Sequence, residues 1–366
     1  MDFNLSEERR MLTDTLTRFV REEYPIDKRH AAAKMDGGFD PAMWEQFAEL
    51  GAIGALLPEE AGGFGGAGED ITVVFEALGR GLVVEPFFAT GMLGAGALIG
   101  AGKDDLLEEV IAGGLHLALA HSEADARYEL SRVSTKADNG KITGAKTVVL
   151  NGGTADKLIV SARSSGEVDS TDGLSLYLVD AKDPGVSIRA YGTVEGGQAA
   201  DITFDGVSGE ELPGGYDRLE VTMGRGVLAL CGEALGLMEM CRDVTLDYLK
   251  QRKQFGVNLG KFQALQHRMV EMCIAIEQAR SLTMLAADSL NAPRATREAN
   301  LSAAKNLTSR VSRLIAEETI QLHGGIAMTW EYSAPHYAKR LIMLDHTLGD
   351  EDFHLARFIE MSRAAA

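Results

Sequence analysis

Changes in residue pattern along the chain predict an α+β protein with three parts: an N-terminal helical domain, a middle antiparallel β-barrel or sandwich domain, and a C-terminal four-helix bundle. Apolar residues follow a helical period up to about residue 110 and form short β-rich runs between about 115 and 207. The helical period returns from about 217. These changes predict domains at residues 1–112, 113–214 and 215–366. The length of 366 residues accommodates two or three domains of ordinary size.

The N-terminal segment has its helical period at Leu12, Leu16 and Phe19, which step by four and three positions onto one face. Its glycine cluster Gly63–Gly68 formally satisfies G-x-G-x-x-G. A dinucleotide-binding loop needs a preceding strand inside a βαβ unit, whereas the preceding GAIGALLPEEAGG contains proline and acids. We therefore interpret Gly63–Gly68 as a plain loop.

The middle segment consists of short runs typical of strands: LHLALA, YELSRVS, KTVVL, DKLIVSA, LSLYLV and DITF. Turn signals separate some of them, at Asp138-Asn139-Gly140 and at Asn151-Gly152-Gly153. A barrel and a sandwich both fit this pattern.

The C-terminal segment carries an apolar stripe with steps of three, four, three and four positions, which predicts the seam of a helix bundle. We interpret this stripe as core, since methionine fills cores readily. It comprises Phe262, Leu265, Met269, Met272 and Ile276.

The net charge of −18 argues against a nucleic-acid-binding protein, because phosphate recognition needs an excess of basic residues. The acidic excess lies in the first 216 residues, whereas residues 217–366 carry equal numbers of basic and acidic side chains. We therefore expect any anion site in the C-terminal segment.

The cysteines Cys231, Cys241 and Cys273 have no metal-type spacing, so we expect a reduced protein without a metal site. The first residues, MDFNLSEERR, lack the apolar core of a signal peptide. The longest apolar run, GMLGAGALIGAG, is too short to span a bilayer. These features predict a cytoplasmic protein with no membrane segment.

The basic run Lys250–Lys253 ends a predicted helix, where the helix dipole stabilises cations. However, Gln254, Phe255 and Gly256 follow at once. A guanidinium from Arg252, an amide and an aromatic face beside a glycine are also the parts of a nucleotide site. The residues alone leave both interpretations open.

A second motif, QLHGGIAMTWEY, begins at Gln321. Gly324-Gly325 after a helical run is typical of a helix C-cap, and it also lets a ligand approach the backbone closely. We interpret His323 as a packing or hydrogen-bonding residue rather than a general base.

These motifs, in this order, resemble the acyl-CoA dehydrogenase family over the whole chain, and within it the pimeloyl-CoA dehydrogenase small-subunit type, which looks like half of a two-gene enzyme. The segments that carry the resemblance are LPEEAGGFGG, KITGAKTVVLNGG, RKQFG, QLHGGIAMTWEY and KRLIMLDHTLGD. The resemblance implies FAD bound between the β domain and the bundle. It also implies a homo- or hetero-tetramer in which a neighbouring subunit completes the FAD site.

The resemblance further implies which residues contact FAD. Arg252 would meet the pyrophosphate and Phe255 the adenine region. On the β domain, Ser122 would hydrogen-bond the flavin, and Val148 stands where the family usually has a tryptophan facing the ring. Gln254 is a further implied cofactor contact. The remaining implied contacts lie along the ADP portion and are reached across a dimer interface: Gln321, Gly324 and Gly325.

The activity that the resemblance implies is FAD-dependent α,β-dehydrogenation of an acyl-CoA thioester to the trans-2-enoyl-CoA in lipid metabolism. Electrons would pass to an electron-transfer flavoprotein. The family removes the α-proton with a buried glutamate of raised pKa. Here Leu348 occupies that position, and the family's alternative position, near Gly226, carries no carboxylate either.

Three hypotheses account for the missing glutamate. Asp350 is a displaced base, although an aspartate after glycine at the start of a helix is also an ordinary N-cap. Alternatively, the chain is a non-catalytic, FAD-sharing subunit of a heterotetramer. In the third hypothesis it is a flavin oxidase or monooxygenase on the same fold.

Overall fold

The computed structural model describes residues 5–365, which divide into two compact units. The first unit contains residues 5–29, 68–83 and 227–365, and the second contains residues 30–67 and 84–226. Helices dominate both ends of the chain and strands dominate its middle, so the predicted fold class is confirmed.

The elements are as follows. The helices are α1 (Glu7–Glu23), α2 (Ile26–Ala32), α3 (Pro41–Glu49), α4 (Gly68–Gly81), α5 (Ala95–Leu98), α6 (Asp104–Ile111), α7 (Gly215–Gln251), α8 (Gln263–Asp288), α9 (Arg294–His323), α10 (Ala334–Asp345) and α11 (Glu351–Ala365). The strands are β1 (Leu117–Ala120), β2 (Lys136–Asp138), β3 (Lys141–Leu150), β4 (Lys157–Arg163), β5 (Leu174–Asp180), β6 (Val186–Gly192), β7 (Gln198–Leu212), β8 (Lys253–Gln254) and β9 (Val257–Asn258). Short 3-10 turns lie at Gly54–Leu56, Glu59–Ala61, Leu259–Lys261 and Gly324–Met328, and a π-helix lies at Phe87–Gly94.

The strands of the second unit close into a barrel. Each successive pair in the circuit β4–β2–β3–β7–β5–β4 is hydrogen-bonded, while β1 flanks β4 and β6 flanks β7. Most pairs are antiparallel, but β1 and β2 both pair with β4 in parallel. Parallel neighbours require a long connection, and here the β2–β3 hairpin lies between β1 and β4 in the chain.

That hairpin turns at the predicted signal Asp138-Asn139-Gly140, with two residues in the turn. Asn139 and Gly140 have φ angles of 48° and 73°, which both central positions of a type I′ turn require. Asp138 pairs with Lys141 directly across it.

The predicted strand YELSRVS is wrong: residues 128–134 form turns and irregular backbone. Side chains bind this backbone in place of a neighbouring strand. Arg163 donates to the carbonyl oxygens of Ser131 (2.7 Å) and Val133 (3.2 Å), and Glu123 accepts from the Ser134 amide (2.7 Å). Such long-range contacts leave no periodic signal in the sequence.

The glycine cluster at 63–68 forms a loop that leads into α4, as predicted, and no strand precedes it. A Cβ at Gly63 would lie 2.1 Å from the Leu57 carbonyl oxygen, and one at Gly65 would lie 2.3 Å from that of Ala55. The glycines therefore serve close backbone packing. Arg225 completes this packing by donating to the carbonyl oxygens of Leu56 (2.8 Å) and Gly66 (3.0 Å).

In the first unit, α8, α10 and α11 all pack against α9. The predicted seam is correct for Met269, Met272 and Ile276, which are buried. It is wrong at its start, because Phe262 is 36% exposed and Leu265 only half-buried. Helix α8 begins at Gln263, so the first step of the stripe lies outside the helix.

Helix α7 is long and apolar enough to match a membrane span by length and composition. However, 94% of its most apolar 18-residue window is buried inside the protein, so α7 is a core helix.

Glycines allow α4 and α7 to approach each other closely. A Cβ at Gly236 would lie 2.0 Å from the Glu76 carbonyl oxygen, and one at Gly79 would lie 2.2 Å from that of Glu233. An ion-pair network runs alongside this contact: Arg280 binds Glu76 (2.9 Å) and Glu239 (2.7 Å). The close backbone contact fixes the distance over which these long side chains must reach.

We expect Gly236→Ala to destabilise the protein by about 1–3 kcal/mol, because the new methyl group meets backbone that cannot move aside. This cost exceeds the gain of at most about 1 kcal/mol in helix propensity. Urea unfolding measures the difference. Gly96→Ala in α5 is the control, since its Cβ would make only an ordinary contact of 3.8 Å with Thr222. Equal stability of the two variants would contradict the close-approach argument.

Candidate functional site

The predicted site residues fall into two groups, one in each compact unit. Ser122 and Val148 lie in the second unit, which contains the barrel and is called the barrel unit; the first unit is called the helical unit. The remaining predicted contacts and the base candidate Asp350 lie in the helical unit: Arg252, Gln254, Phe255, Gln321, Gly324 and Gly325.

The structure brings Ser122 and Val148 together on the barrel. Ser122 follows β1 and is exposed, and its carbonyl oxygen accepts a hydrogen bond from the Thr147 amide at 2.9 Å. The β3–β7 register shifts between Lys146 and Val149, which marks a β-bulge. Val148 in this bulge has a φ of 52° and is 55% exposed.

A left-handed backbone is strained for a β-branched residue, so other contacts must hold Val148 in place. Its amide donates to Asp201 Oδ1 at 3.3 Å, and the Tyr191 hydroxyl donates to the same oxygen at 3.2 Å. Arg189 also pairs with Asp201, and its hydrogen bond lowers the pKa of that carboxyl. The barrel thus presents an apolar side chain on a fixed, bulged backbone.

A buried polar cluster lies beneath this surface, and the sequence analysis missed it. Lys146 is fully buried, and its ammonium donates to Glu123 Oε1 (2.8 Å), Ser161 Oγ (2.9 Å) and the His121 carbonyl oxygen (3.1 Å). The only available signal was a lysine inside the apolar strand KTVVL, which is also typical of a surface strand.

Within this cluster Glu123 and Lys146 are ionised at neutral pH. Burial raises the pKa of Glu123, but the charge of Lys146 and several hydrogen bonds outweigh burial and lower that pKa to about 2. Burial lowers the pKa of Lys146 to about 8 against the attraction of Glu123. Burial and the charge of Lys146 lower the pKa of His121 to about 3, so this imidazole is neutral.

In the helical unit, the RKQFG motif forms a small hairpin after α7. Strands β8 and β9 pair, and the turn residues Phe255 and Gly256 have φ angles of 54° and 84°. Phe255 is 89% exposed at the tip. Within residues 5–365 the Arg252 guanidinium has no hydrogen-bond or ion-pair partner, and Gln254 is likewise exposed. The hairpin therefore presents a cation, an amide and an aromatic face outward.

The second motif lies close to this hairpin. His323 contacts the rings of Tyr248, one turn before Arg252, and Tyr332, with centroid distances of 4.6 and 5.2 Å. His323 is buried, and its Nδ1 lies 2.7 Å from the Thr319 carbonyl oxygen, as expected for a packing residue.

Gly324 caps α9, as predicted, with a φ of 66°, and Gln321, Gly324 and Gly325 are exposed. Gly325 has no positive φ, and a Cβ on it would meet none of the described residues within 4 Å. Neither backbone conformation nor internal packing therefore requires glycine here. A glycine at this exposed position leaves room for an outside group, such as a nucleotide phosphate, to approach the backbone closely. With the free guanidinium and the exposed ring, these residues fit the ADP portion of FAD.

The segment around Leu348, where the resemblance places the base, is held by hydrogen bonds from buried side chains. Leu348 has a φ of 55°, and its carbonyl oxygen lies 2.9 Å from His354 Nε2. The buried Lys305 ammonium donates to the carbonyl oxygens of Leu344 (2.9 Å) and Gly349 (2.8 Å). Burial lowers the pKa of Lys305 to about 8.

Asp350 stands at the start of α11, where its Oδ1 accepts a hydrogen bond from the Phe353 amide at 2.9 Å. This is the geometry of a helix N-cap. At the alternative base position, Arg225 is buried beside Gly226, and burial lowers its pKa to about 10. No carboxylate replaces the family glutamate within residues 347–349 or 223–227.

The fold and the exposed nucleotide-type groups define a cofactor-binding protein of the helical–β–helical class. Three family descriptions match the chain: acyl-CoA dehydrogenase N-terminal domain at residues 6–114, middle domain at 118–207 and C-terminal domain at 214–360. The chain belongs to the acyl-CoA dehydrogenase family.

Individual relatives support this family membership. The chain is 33% identical to the acyl-CoA dehydrogenase IpdE2 of Mycobacterium tuberculosis, over 91% of each chain. It is 30% identical to IpdE2 of Mycolicibacterium smegmatis, over 92% of this chain and 93% of that one. Among solved structures, the steroid ACAD Tcur3481-Tcur3483 is 28% identical with a TM-score of 0.89, covering 98% of this chain and 99% of that one.

The reaction class and the cofactor follow from the family. The chain is an FAD flavoprotein of lipid metabolism, and its class is the FAD-dependent dehydrogenation of a CH–CH bond in an acyl-CoA thioester.

Acid should remove part of the stability that Glu123 contributes. Because its folded pKa of about 2 lies below the ordinary 4.5, the contribution is present above pH 4.5 and is lost as the pH falls through 2. We expect Glu123→Gln to lower the free energy of unfolding by about 2–3 kcal/mol at pH 6, and by much less at pH 3. Urea unfolding followed by circular dichroism measures this.

The control for this experiment is Glu167→Gln, at an exposed position of the same barrel unit. It should match the wild type within about 0.5 kcal/mol at both pH values. If the cost of Glu123→Gln stays constant between pH 6 and pH 3, the assigned ionisation of the cluster is wrong.

Proposed function

We propose that this chain takes part in the α,β-dehydrogenation of a CoA thioester to the trans-2-enoyl-CoA within a hetero-oligomer whose sister subunit supplies the catalytic base. The observation that carries the proposal is the identity and hydrogen bonding of the residues at positions 347–350. Leu348 occupies the base position, and Asp350 already accepts a backbone hydrogen bond as the N-cap of α11.

FAD, when bound, accepts the hydride that leaves the β-carbon. In this proposal, residues of the helical unit hold the ADP portion: Arg252, Gln254, Phe255, Gln321, Gly324 and Gly325. The guanidinium of Arg252 provides planar donors for the pyrophosphate, and Phe255 provides a stacking face for adenine. Gly324 and Gly325 let the backbone approach this group closely.

The barrel unit supplies the wall for the flavin ring. Ser122 offers a hydroxyl and backbone groups, and Val148 offers an apolar surface where the family usually has an aromatic one. Both lie on backbone fixed by the hydrogen bond between Thr147 and Ser122. A fixed wall orients the ring and excludes water from one face.

Proton removal from the α-carbon needs a buried carboxylate of raised pKa, because the α-proton is a very weak acid. Asp350 is the candidate within this chain. Its hydrogen bond to the Phe353 amide stabilises the ionised form of the carboxylate, which opposes what a base for this proton requires. A sister subunit is therefore the better source of the base.

Three observations support a second subunit. The hairpin tip at Phe255 is 89% exposed, and the Arg252 guanidinium lacks a partner within residues 5–365. The 28% identical steroid ACAD carries a name that joins two components, Tcur3481 and Tcur3483. We further propose an electron-transfer flavoprotein as the electron acceptor and the cytoplasm as the location.

We retain the domain division at residues 1–112, 113–214 and 215–366 as part of this proposal. The ranges matched by the family descriptions, 6–114, 118–207 and 214–360, support it.

Gly325→Ala tests the nucleotide contact. We expect FAD affinity to fall about tenfold or more, because the new methyl group enters the space assigned to FAD. Thermal stability without FAD should not change, since the Cβ meets no atom of residues 5–365 within 4 Å. Flavin fluorescence titration of the assembled protein measures the affinity.

The control is Gly192→Ala, where a Cβ also meets no atom of the described part of the chain within 4 Å but no FAD contact is proposed. It should bind FAD as the wild type does. If Gly325→Ala also keeps wild-type affinity, Gly325 does not contact FAD.

Asp350→Asn tests the source of the base. Asparagine also caps helices, so the substitution removes the charge and keeps the fold. With the sister subunit present, we expect acyl-CoA to bleach the flavin at a rate within about twofold of wild type, measured by stopped-flow absorbance. Asp352→Asn, in the first turn of α11, is the control.

If Asp350→Asn abolishes bleaching while FAD remains bound, then Asp350 is the base, and the sister-subunit proposal is wrong. The isolated chain provides a complementary test. When it is loaded with FAD but lacks the sister subunit, acyl-CoA should not reduce the bound FAD.

A further inference from the structure

The barrel unit buries a complete lysine side chain in a position that the dehydrogenation chemistry does not use. Lys146 is 0% exposed, and its ammonium has three acceptors, Glu123 Oε1, Ser161 Oγ and the His121 carbonyl oxygen, at 2.8, 2.9 and 3.1 Å. An ammonium donates three hydrogen bonds, so its donor capacity is fully used.

Two of these acceptors flank one exposed residue. His121 and Glu123 are the chain neighbours of Ser122, and both are 7% exposed, whereas Ser122 itself is exposed. A single ammonium therefore holds the loop on either side of Ser122 and leaves the serine facing outward.

The same lysine also fixes the other strand of this surface. Thr147 follows Lys146 directly, and its amide donates to the Ser122 carbonyl oxygen at 2.9 Å. Val148 comes next, in the bulge. Once Lys146 is anchored, the backbone positions of Ser122 and Val148 are coupled through one short path.

Glu123 extends the anchor to a third segment. Its carboxylate accepts from the Ser134 amide (2.7 Å), the Thr135 amide (3.0 Å) and the Thr135 hydroxyl (2.7 Å). The groups of these elements that face the ammonium are the Glu123 carboxylate, the neutral His121 imidazole and Ser161. Every polar atom of the carboxylate is thus tied to backbone or to Lys146.

A buried ion pair adds little net stability compared with apolar residues of the same volume, because desolvation offsets the attraction. What the pair does add is a fixed geometry, because any other arrangement would leave a buried charged group without its hydrogen-bond partners, which is costly. The pair is therefore placed where position matters more than stability.

We propose that Lys146 is a positioning residue that holds Ser122 and Val148 in the arrangement that binds the flavin of FAD. This inference rests on the proposed function, which assigns those two residues to the flavin wall. In this proposal Lys146, which is 0% exposed, acts through the loop 121–123 and not by contact with the cofactor.

The test is a double-mutant cycle on FAD affinity, measured by flavin fluorescence titration of the assembled protein. We expect Lys146→Met to weaken FAD binding about tenfold. Ser122→Ala should weaken binding about fivefold in the wild type but less than about twofold in the Lys146→Met background, because Lys146 acts through Ser122. Equal effects of Ser122→Ala in both backgrounds would overturn the proposal.

A second measurement needs no FAD. The Thr147 amide, which donates to the Ser122 carbonyl, should exchange its hydrogen at least about tenfold faster in Lys146→Met than in wild type. Unchanged protection would show that the lysine does not hold this loop. If Lys146→Met does not fold, Ser161→Ala removes one acceptor of the ammonium and should shift both measurements in the same direction.

Val207→Ala is the control for a general loss of stability. Val207 is buried in the same barrel and pairs with Ile142, near the far end of β3. At a comparable loss of thermal stability it should bind FAD within about twofold of wild type. If it weakens FAD as much as Lys146→Met does, the role of Lys146 is only structural.

The two levels of inference fail differently. If the wild-type assembly binds no FAD, the proposed function is wrong, and the amide exchange still decides whether Lys146 holds the loop. If wild type binds FAD and Lys146→Met binds it equally well, only the positioning role is wrong.

Discussion

A buried ammonium must find all its hydrogen-bond acceptors inside the protein, and both candidate-site segments are built around this constraint. Lys146 takes the His121 carbonyl oxygen beneath the Ser122 loop, and Lys305 takes the carbonyl oxygens of Leu344 and Gly349 around Leu348. In each case the ammonium donates hydrogen bonds to carbonyl oxygens of irregular backbone and holds that backbone in place. The loops are therefore ordered without belonging to a helix or strand.

The exposed groups are organised in the opposite way. Phe255 and Gly325 lie on tightly turned backbone. The Phe255 ring is 89% exposed and meets the Phe262 ring in a T-shaped contact (centroid distance 6.2 Å), and a Cβ on Gly325 would meet no described residue within 4 Å. Rigid backbone that carries unsatisfied polar and aromatic groups is suited to bind a partner at a low entropic cost. The same chain therefore combines buried cations that fix loops with an exposed cation, Arg252, whose guanidinium has no hydrogen-bond or ion-pair partner among residues 5–365.

Much of the fold and part of the site were predictable from local pattern. The β2–β3 turn, the helical ends and the C-cap at Gly324 each follow from spacing or from residues with special backbone preferences. The RKQFG motif could be recognised as a candidate nucleotide site because Arg252, Phe255 and Gly256 lie within five consecutive residues, whereas its hairpin was not predicted. The strand assigned to residues 128–134 failed because Arg163 and Glu123, distant in sequence, bind that backbone.

The sequence by itself determined the order of helical and β segments, the family resemblance and the absence of the usual glutamate at Leu348. These depend on residue identity and on short spacings. Only the tertiary structure decided that Lys146 is buried beneath Ser122 and that Asp350 caps α11. The burial and hydrogen-bond partners of a charged side chain are set by residues far away along the chain, so local sequence pattern does not predict them.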